Sequence, residues 1–469
     1  MKPEPGGNIN AESRTFTYAD ATTFAGVTAP QHNKLHRVLG LPSLVFFGLA
    51  YMVPLAIFDT YGIVTQITLG HLPAAYVLTL AAMFFTAYSY GRMVEVLPAA
   101  GSAYSYSRHA FGGRTGFMVG WTLMLDYIFL PMLNYILIGI YMSEYFPGIP
   151  AAWWIIGAIL LVTVLNILGI KVVARMNFII IGFQVIFLAF FFTLFFTSIG
   201  REGAPSLLAP FYSENMRIGA IVSGAAILCL SFLGFDAVST LSEETKNPKR
   251  DIPRAIMLCT VVGGLIFILS AWAGHIIFPD WQTFADPDAA AVDVMGKAGG
   301  AFMVSFFTAA YMTGTFASTM AAQASVSRIL YAMGRDRVLP YTLFGTVHRT
   351  LGTPVRATIF VGIVSLIALE IDLELAASMI SFGALAAFSF VNLSVIKTYL
   401  FDQGKRQGSD LLRYGLLPGF GFLLTVWLWT GLSKTTFTVG IIWVVVGFSY
   451  LLYLTRMFKK PVPKLDLAD

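Results

Sequence analysis

Three aspartates lie inside long apolar runs of this chain: Asp59 in VPLAIFDTYG, Asp126 in TLMLDYIFLPMLN and Asp236 in SFLGFDAVST. A carboxylate far from water is costly, and a chain keeps one there for a cation, a proton or a structural partner. Aromatic residues fall at similar depths: Tyr51, Tyr127, Phe232, Phe235, Tyr311 and Phe382. Ring faces attract ammonium groups by about 0.5–2 kcal/mol each. Carboxylates with rings suit the binding of an organic cation. Each group also has a plainer reading: the rings can simply pack, Asp59 and Asp236 can cap short helices, Asp126 can sit in an ion pair, and Asn134 can bond across helices.

Other chemistries find little support. The histidines (His32, His36, His71, His109, His275 and His348) fall in the tail, loops or segment ends and form no ligand pattern. Cys229 and Cys259 both sit in apolar runs and suggest neither a disulfide framework nor a metal site. We expect no enzyme, no cofactor and no nucleic-acid partner. No sustained polar stripe of the kind a channel needs is visible either.

The elements that must position these groups are membrane spans. Of the 469 residues, 57% are hydrophobic and 12% charged, against about 25% charged in a typical soluble domain. Apolar segments run at roughly 38–68, 74–97, 113–143, 151–168, 175–199, 217–245, 254–278, 299–331, 355–371, 375–398, 414–432 and 436–456. An all-α polytopic membrane protein with about twelve crossings is expected.

Lys and Arg alternate from loop to loop. One set carries Lys34 and Arg37; Arg92, Arg108 and Arg114; Lys171 and Arg175; Lys246, Lys249, Arg250 and Arg254; Arg335, Arg337, Arg349 and Arg356; Lys405, Arg406 and Arg413; and Arg456, Lys459 and Lys460. The opposite set includes WQTFADPDAAAVDVMGKAGG, mostly acidic, and EIDLELA, wholly acidic. Basic loops stay in the cytoplasm, so both termini are expected there, with 1–33 and 459–469 as tails. The first residues are polar and show no signal-peptide core.

Two segments carry breaks. The first has Pro54 at its middle and is too long for one straight crossing; the sixth has Gly234. Phe58-Asp59 follows one break and Phe235-Asp236 the other. Interrupted helices at matched positions point to an inverted-repeat secondary transporter, with halves at 34–200 and 216–400 and two further helices over 414–458. Prolines and glycines also mark simple kinks.

Three motifs are familiar. FLGFDAVSTLSEETKNPKRDIPRAI, LPAAGSAYSYSRHAFG and SRILYAMGRDRVLP resemble the sixth span with its following loop, the loop before the third span, and the inner end of the eighth span of the amino acid–polyamine–organocation transporter superfamily. The resemblance runs from about Lys34 to Pro461. LAYMVPLAIFDTYGIV, GFMVGWTLMLDYIFLPMLN and FGALAAFSFVNLSVI are similar to the bacterial putrescine importer branch. The resemblance implies a five-plus-five repeat of the LeuT-like kind with broken helices one and six. It also implies a substrate site between spans one, three, six, eight and ten.

Relatives that carry amino acids place a Gly-Ser-Gly-like run at the first break, where free N–H groups hold the substrate carboxylate. Here Met52, Val53 and Pro54 stand there, and proline has no N–H. With the carboxylate cradle degraded and three aspartates present, the residues suit a diamine better than an amino acid. Some proton-coupled relatives have a lysine in span five; the matching residue is Gln184, so Asp59, Asp126 or Asp236 is the expected proton carrier.

The expected substrate site therefore comprises Asp236, Asp126, Asp59, Tyr51, Met52, Pro54, Tyr127, Ser231, Phe232, Gly234, Phe235 and Tyr311. Glu243, Glu244 and Arg250 are expected at a cytoplasmic gate. The expected activity is import of a small diamine such as putrescine through a bacterial cytoplasmic membrane, by alternating access and with protons as coupling ion. An amino acid permease or exchanger of the same superfamily and a transporter-like sensor are the alternatives.

Overall fold

The computed structural model describes residues 39–98, 102–168, 173–202, 206–335 and 338–462. The tail 1–33, the basic residues Lys34, Arg37, Lys171 and Arg337, and the last residues 463–469 lie outside them. The described chain is helical, with a single parallel bridge between Leu39 and Thr245 as its extended pairing.

The first crossing is two pieces, α1 (Leu41–Met52) and α2 (Tyr61–Ile67), joined by a 3₁₀ turn, Ala56–Asp59. Next come α3 (Leu72–Val96), α4 (Ser102–Phe111), α5 (Gly113–Tyr145), α6 (Ala151–Leu168) and α7 (Val173–Glu202). The sixth crossing is again split, into α8 (Ile218–Leu228) with a 3₁₀ turn Cys229–Phe232, and a second 3₁₀ stretch, Ala237–Glu243. The rest follows as α9 (Pro248–Ile277), α10 (Ala290–Arg335), α11 (Tyr341–Phe344), α12 (Val355–Ser365), α13 (Leu373–Val395), α14 (Ser409–Leu411), α15 (Leu417–Trp429) and α16 (Lys434–Leu454).

Eleven helical segments among the described residues are long and apolar enough to cross a membrane. The ninth expected span is the one that falls short: Val355–Leu369 is α12 plus one 3₁₀ turn. At 1.5–2.0 Å per residue it reaches about 25 Å, against a hydrocarbon core of about 30 Å. A second difference lies in the acidic loop before the eighth span. The irregular part ends at Ala289; residues from Ala290 are already helical, with a kink at Gly299 and Gly300, the latter at φ 63°. A run of alanines with one aspartate is a fair helix former. The glycine pair, not the acidity, sets the bend.

The split crossings lie at the centre of the bundle. Gly263 and Gly48 bring α9 and α1 close, and Gly91 does the same for α3 against Pro253 of α9. Gly383 on α13 sits so near α5 that an added Cβ would lie 3.0 Å from the Thr122 carbonyl oxygen and 3.1 Å from the Asp126 nitrogen. Small residues allow this approach, and packing then fixes the backbone that carries Asp126. At the periphery Trp121 of α5 and Trp443 of α16 stack with centroids 4.9 Å apart. Each indole N–H donates to the other's backbone carbonyl at 2.9 Å. Gly447 leaves the space that the Trp121 ring fills.

Candidate substrate site

The two breaks meet. At the first, Pro54 cannot donate to the preceding turn and excludes helical geometry at Val53. Val53 takes φ 52°, ψ 103°, a conformation that a β-branched residue adopts at a cost of about 1–3 kcal/mol. Its N–H still reaches the Ala50 carbonyl at 3.3 Å, and its own carbonyl accepts from Ala56 at 2.8 Å. At the second break Gly234 has φ 124°, which side-chain-bearing residues avoid. It faces the end of α1: a Cβ there would lie 2.9 Å from the Met52 nitrogen and 2.9 Å from the Tyr51 ring.

Asp236 turns back into this crossing. Its Oδ1 accepts from the Gly234 N–H at 3.1 Å, and its side chain makes no capping bond to the 3₁₀ stretch it precedes. The carboxylate is held by the backbone around the break, from Gly234 to Ala237. Asp126, buried on α5, lies within electrostatic reach of Asp236. Tyr51 feels both carboxylates, and Tyr127 feels both together with Tyr51. Pro131 sits four residues beyond Tyr127 inside α5, so the Tyr127 carbonyl loses its intrahelical donor. That leaves an oxygen acceptor free on α5, on the residue next to Asp126.

Asp59 belongs to a second cluster. The Tyr311 hydroxyl donates to its Oδ1 at 2.6 Å. Tyr141 lies edge-on to Tyr311, centroids 4.7 Å apart, and donates to the Phe58 carbonyl at 2.9 Å. A cavity of about 180 Å³ runs past this cluster, lined by Tyr51, Met52, Asp59, Asn134, Gln184 and Thr315 among others. That is below the roughly 300–1,000 Å³ of pockets that take drug-sized molecules, and suits a cargo of few heavy atoms. Gln184 is buried against Gly314, where any side chain would displace its amide. A larger cavity, about 580 Å³, opens between α5, α6, α7 and α10. Its walls are residues such as Ile138, Met142, Met312 and Phe316, with no charge for a cation.

Other expected site residues have contacts of their own. The Ser231 hydroxyl is 3.2 Å from that of Tyr76 and ties the break to α3. Phe232 is fully buried edge-on to Phe267, and Phe235 packs on Tyr90 and Phe388. Pro54 is buried and acts through the backbone. Phe382 packs on Trp429. Asn134 donates to Ser318 at 3.2 Å, the interhelical bond of its plainer reading. Of the gate candidates, Arg250 is exposed, and the Glu244 carbonyl accepts from the Leu39 N–H at 3.1 Å. Glu243 ends the 3₁₀ stretch; its side chain lies outside the described part. Tyr141, Tyr90, Tyr106 and the Tyr127 carbonyl were not among the expected groups. Only the last had a readable signal, Pro131 four residues on.

The amino acid permease family model matches residues 43–447. The chain is 41% identical over 438 residues to the low-affinity putrescine importer PlaP of Escherichia coli (strain K12), covering 92% of this chain and 97% of that protein. The chain belongs to the amino acid permease family. The permease is thereby a member of the amino acid–polyamine–organocation superfamily, a multi-pass membrane transporter. It is also 29% identical over 451 residues to the methylthioribose transporter of Bacillus subtilis (strain 168), covering 89% of this chain and 94% of the relative. To the branched-chain amino acid permease BcaP of the same organism it is 27% identical over 452 residues, covering 89% and 93%.

The bond between Tyr311 and Asp59 makes a first prediction for this permease. A hydrogen bond to a charged group contributes about 1.5–3 kcal/mol. Tyr311→Phe keeps the ring and removes the donor. We expect it to lower kcat/KM for uptake by about 10- to 100-fold at unchanged membrane abundance. A saturation curve overlying that of the wild type would remove Asp59 and Tyr311 from the transport cycle.

Proposed function

We propose that this permease imports a small diamine, putrescine, across a bacterial cytoplasmic membrane. The observation that carries the reading is the pair Asp126 and Asp236, two like charges within reach of one another beside the crossing of the breaks. Such a pair repels itself until a cation or a proton joins it. A diamine supplies two ammonium groups, one for each carboxylate. The rings of Tyr51 and Tyr127 and the freed Tyr127 carbonyl complete its surroundings. The kinship with PlaP, whose name states putrescine import, supports the same cargo.

In this reading Asp59, with Tyr311, receives the diamine on the outer side or carries a coupled proton. Met52, Pro54 and Gly234 shape the crossing, and Phe232, Phe235 and Ser231 hold it in place. The two halves, 34–200 and 216–400, act as an inverted five-plus-five repeat that alternates access, with helices 414–458 outside it. Both termini lie in the cytoplasm, and Glu243, Glu244 and Arg250 belong to the inner gate. Entry of a dication is driven by the membrane potential, at about 2.3 kcal/mol per charge per 100 mV.

The test is uptake of radiolabelled putrescine into proteoliposomes with imposed electrical and pH gradients. Diamines of different length, arginine and leucine serve as competitors. We expect putrescine to accumulate under an inside-negative potential, more strongly with an inward proton gradient. Accumulation of arginine or leucine without putrescine would replace the reading with an amino acid permease; tight binding without uptake would replace it with a sensor.

A further inference from the structure

Beyond Asp236 the 3₁₀ stretch Ala237–Glu243 packs against α3 and α4. Four hydroxyls converge there, from Tyr90 on α3, Ser102 and Tyr106 on α4, and Ser239. The rings of Tyr90 and Tyr106 meet edge to face with centroids 5.9 Å apart. Tyr90 also abuts Phe235, the neighbour of Asp236, at 5.6 Å. The Tyr90 hydroxyl faces that of Ser102, the Tyr106 hydroxyl faces that of Ser239, and both tyrosines lie within the field of Asp236. All four side chains are more than nine-tenths buried. Yet neither facing pair, Tyr90 with Ser102 nor Tyr106 with Ser239, closes to full hydrogen-bond geometry.

Buried hydroxyls are almost always paired, because an unpaired one forfeits its hydration. Four in one place, in facing pairs that do not close on each other, call for a bridging occupant. The chemistry selects a cation with several N–H donors. Each hydroxyl oxygen offers lone pairs, the carboxylate of Asp236 supplies the negative field, and the rings of Tyr90 and Tyr106 stand beside the hydroxyls. Arg92, two residues beyond Tyr90, is paired with Glu95 at 3.0 Å.

We propose that Tyr90, Ser102, Tyr106 and Ser239 form a second station for a primary ammonium group, between Asp236 and the basic residues Lys246, Lys249, Arg250 and Arg254 at the start of α9. It rests on the diamine reading above. A cargo with two ammonium groups passes its leading one from Asp236 to the hydroxyls while the trailing one still holds Asp126. The handover replaces a single large step out of the site with two smaller ones. It also makes the two faces of the transporter unequal, because only a cargo on the side of those basic residues meets the hydroxyls first.

Tyr106→Phe and Ser239→Ala each remove one oxygen and leave the packing. Radiolabelled putrescine transport is measured in right-side-out and inside-out membrane vesicles, with abundance read by immunoblot. We expect KM for entry from the side of those basic residues to rise about tenfold in either variant, and KM from the other side to stay within twofold. Unchanged KM at both faces would mean that the hydroxyls hold ordered water only. An equal rise at both faces would mean that they support the fold; either result overturns the station alone. Wild-type vesicles that carry no diamine would overturn the cargo reading and the station with it.

Discussion

Replacing Gly234 with alanine is expected to reduce uptake by about 10- to 100-fold or more while the protein still reaches the membrane. The argument is local. Gly234 stands at φ 124°, where a side chain costs about 1–3 kcal/mol, and each 1.36 kcal/mol is a tenfold change in rate. The new Cβ would also press on the Met52 nitrogen at 2.9 Å. That atom is backbone at the end of α1, so it cannot swing away as a flexible side chain would. Relief requires the two broken helices to separate at their crossing, which moves Tyr51 and Asp236 apart. The remaining helices keep their own packing, so a folded, inactive protein is the expected product. Uptake within twofold of wild type would show that the crossing has slack that the geometry does not suggest.

The second large effect is the loss of either central carboxylate. Removing one member of a buried, hydrogen-bonded charge pair typically costs about 2–5 kcal/mol of binding, so kcat/KM should fall by about 30-fold to several thousand-fold. Asparagine is the informative substitution. Asp236→Asn can still present an oxygen to the Gly234 N–H, which preserves the 3.1 Å bond that shapes the break and removes only the charge. Asp126→Asn is likewise isosteric, at a buried position pressed by Gly383. Radiolabelled putrescine saturation curves for both variants decide the matter. Near-wild-type curves for the pair would sink the assignment of the carboxylates to the ammonium groups.

The breaks were legible because they are written in backbone chemistry. Proline removes a donor wherever it stands, and a glycine between large apolar residues signals a conformation that other residues avoid. The crossings were legible because twenty apolar residues in a row leave few options in water. Val355–Leu369 is shorter than the apolar run suggests, because hydropathy alone does not register where a helix tightens into a 3₁₀ turn and stops. The site was only partly legible. Asp59, Asp126 and Asp236 stand out against oil, but their division into one pair and one tyrosine-bound single depends on distances between helices. The contact of the Ser231 hydroxyl with that of Tyr76 links residues 155 apart and could not be read from either local sequence. Tyr90, Tyr106 and Tyr141 are three of twenty tyrosines, and nothing in their local sequence separates them from rings that merely pack.

The clasp between Trp121 and Trp443 bears on how the protein is made. Its two halves are 322 residues apart. At a synthesis rate of about 5–20 residues per second, roughly 15–65 s pass between the emergence of one ring and of the other. Through that interval the third crossing is in the membrane with the Trp121 donor unclaimed by its eventual carbonyl. The helix that bears Asp126 is thus among the early ones to be inserted and among the last to be locked. A ribosome that stops before α16 leaves a bundle whose central carboxylate hangs on an unfinished wall.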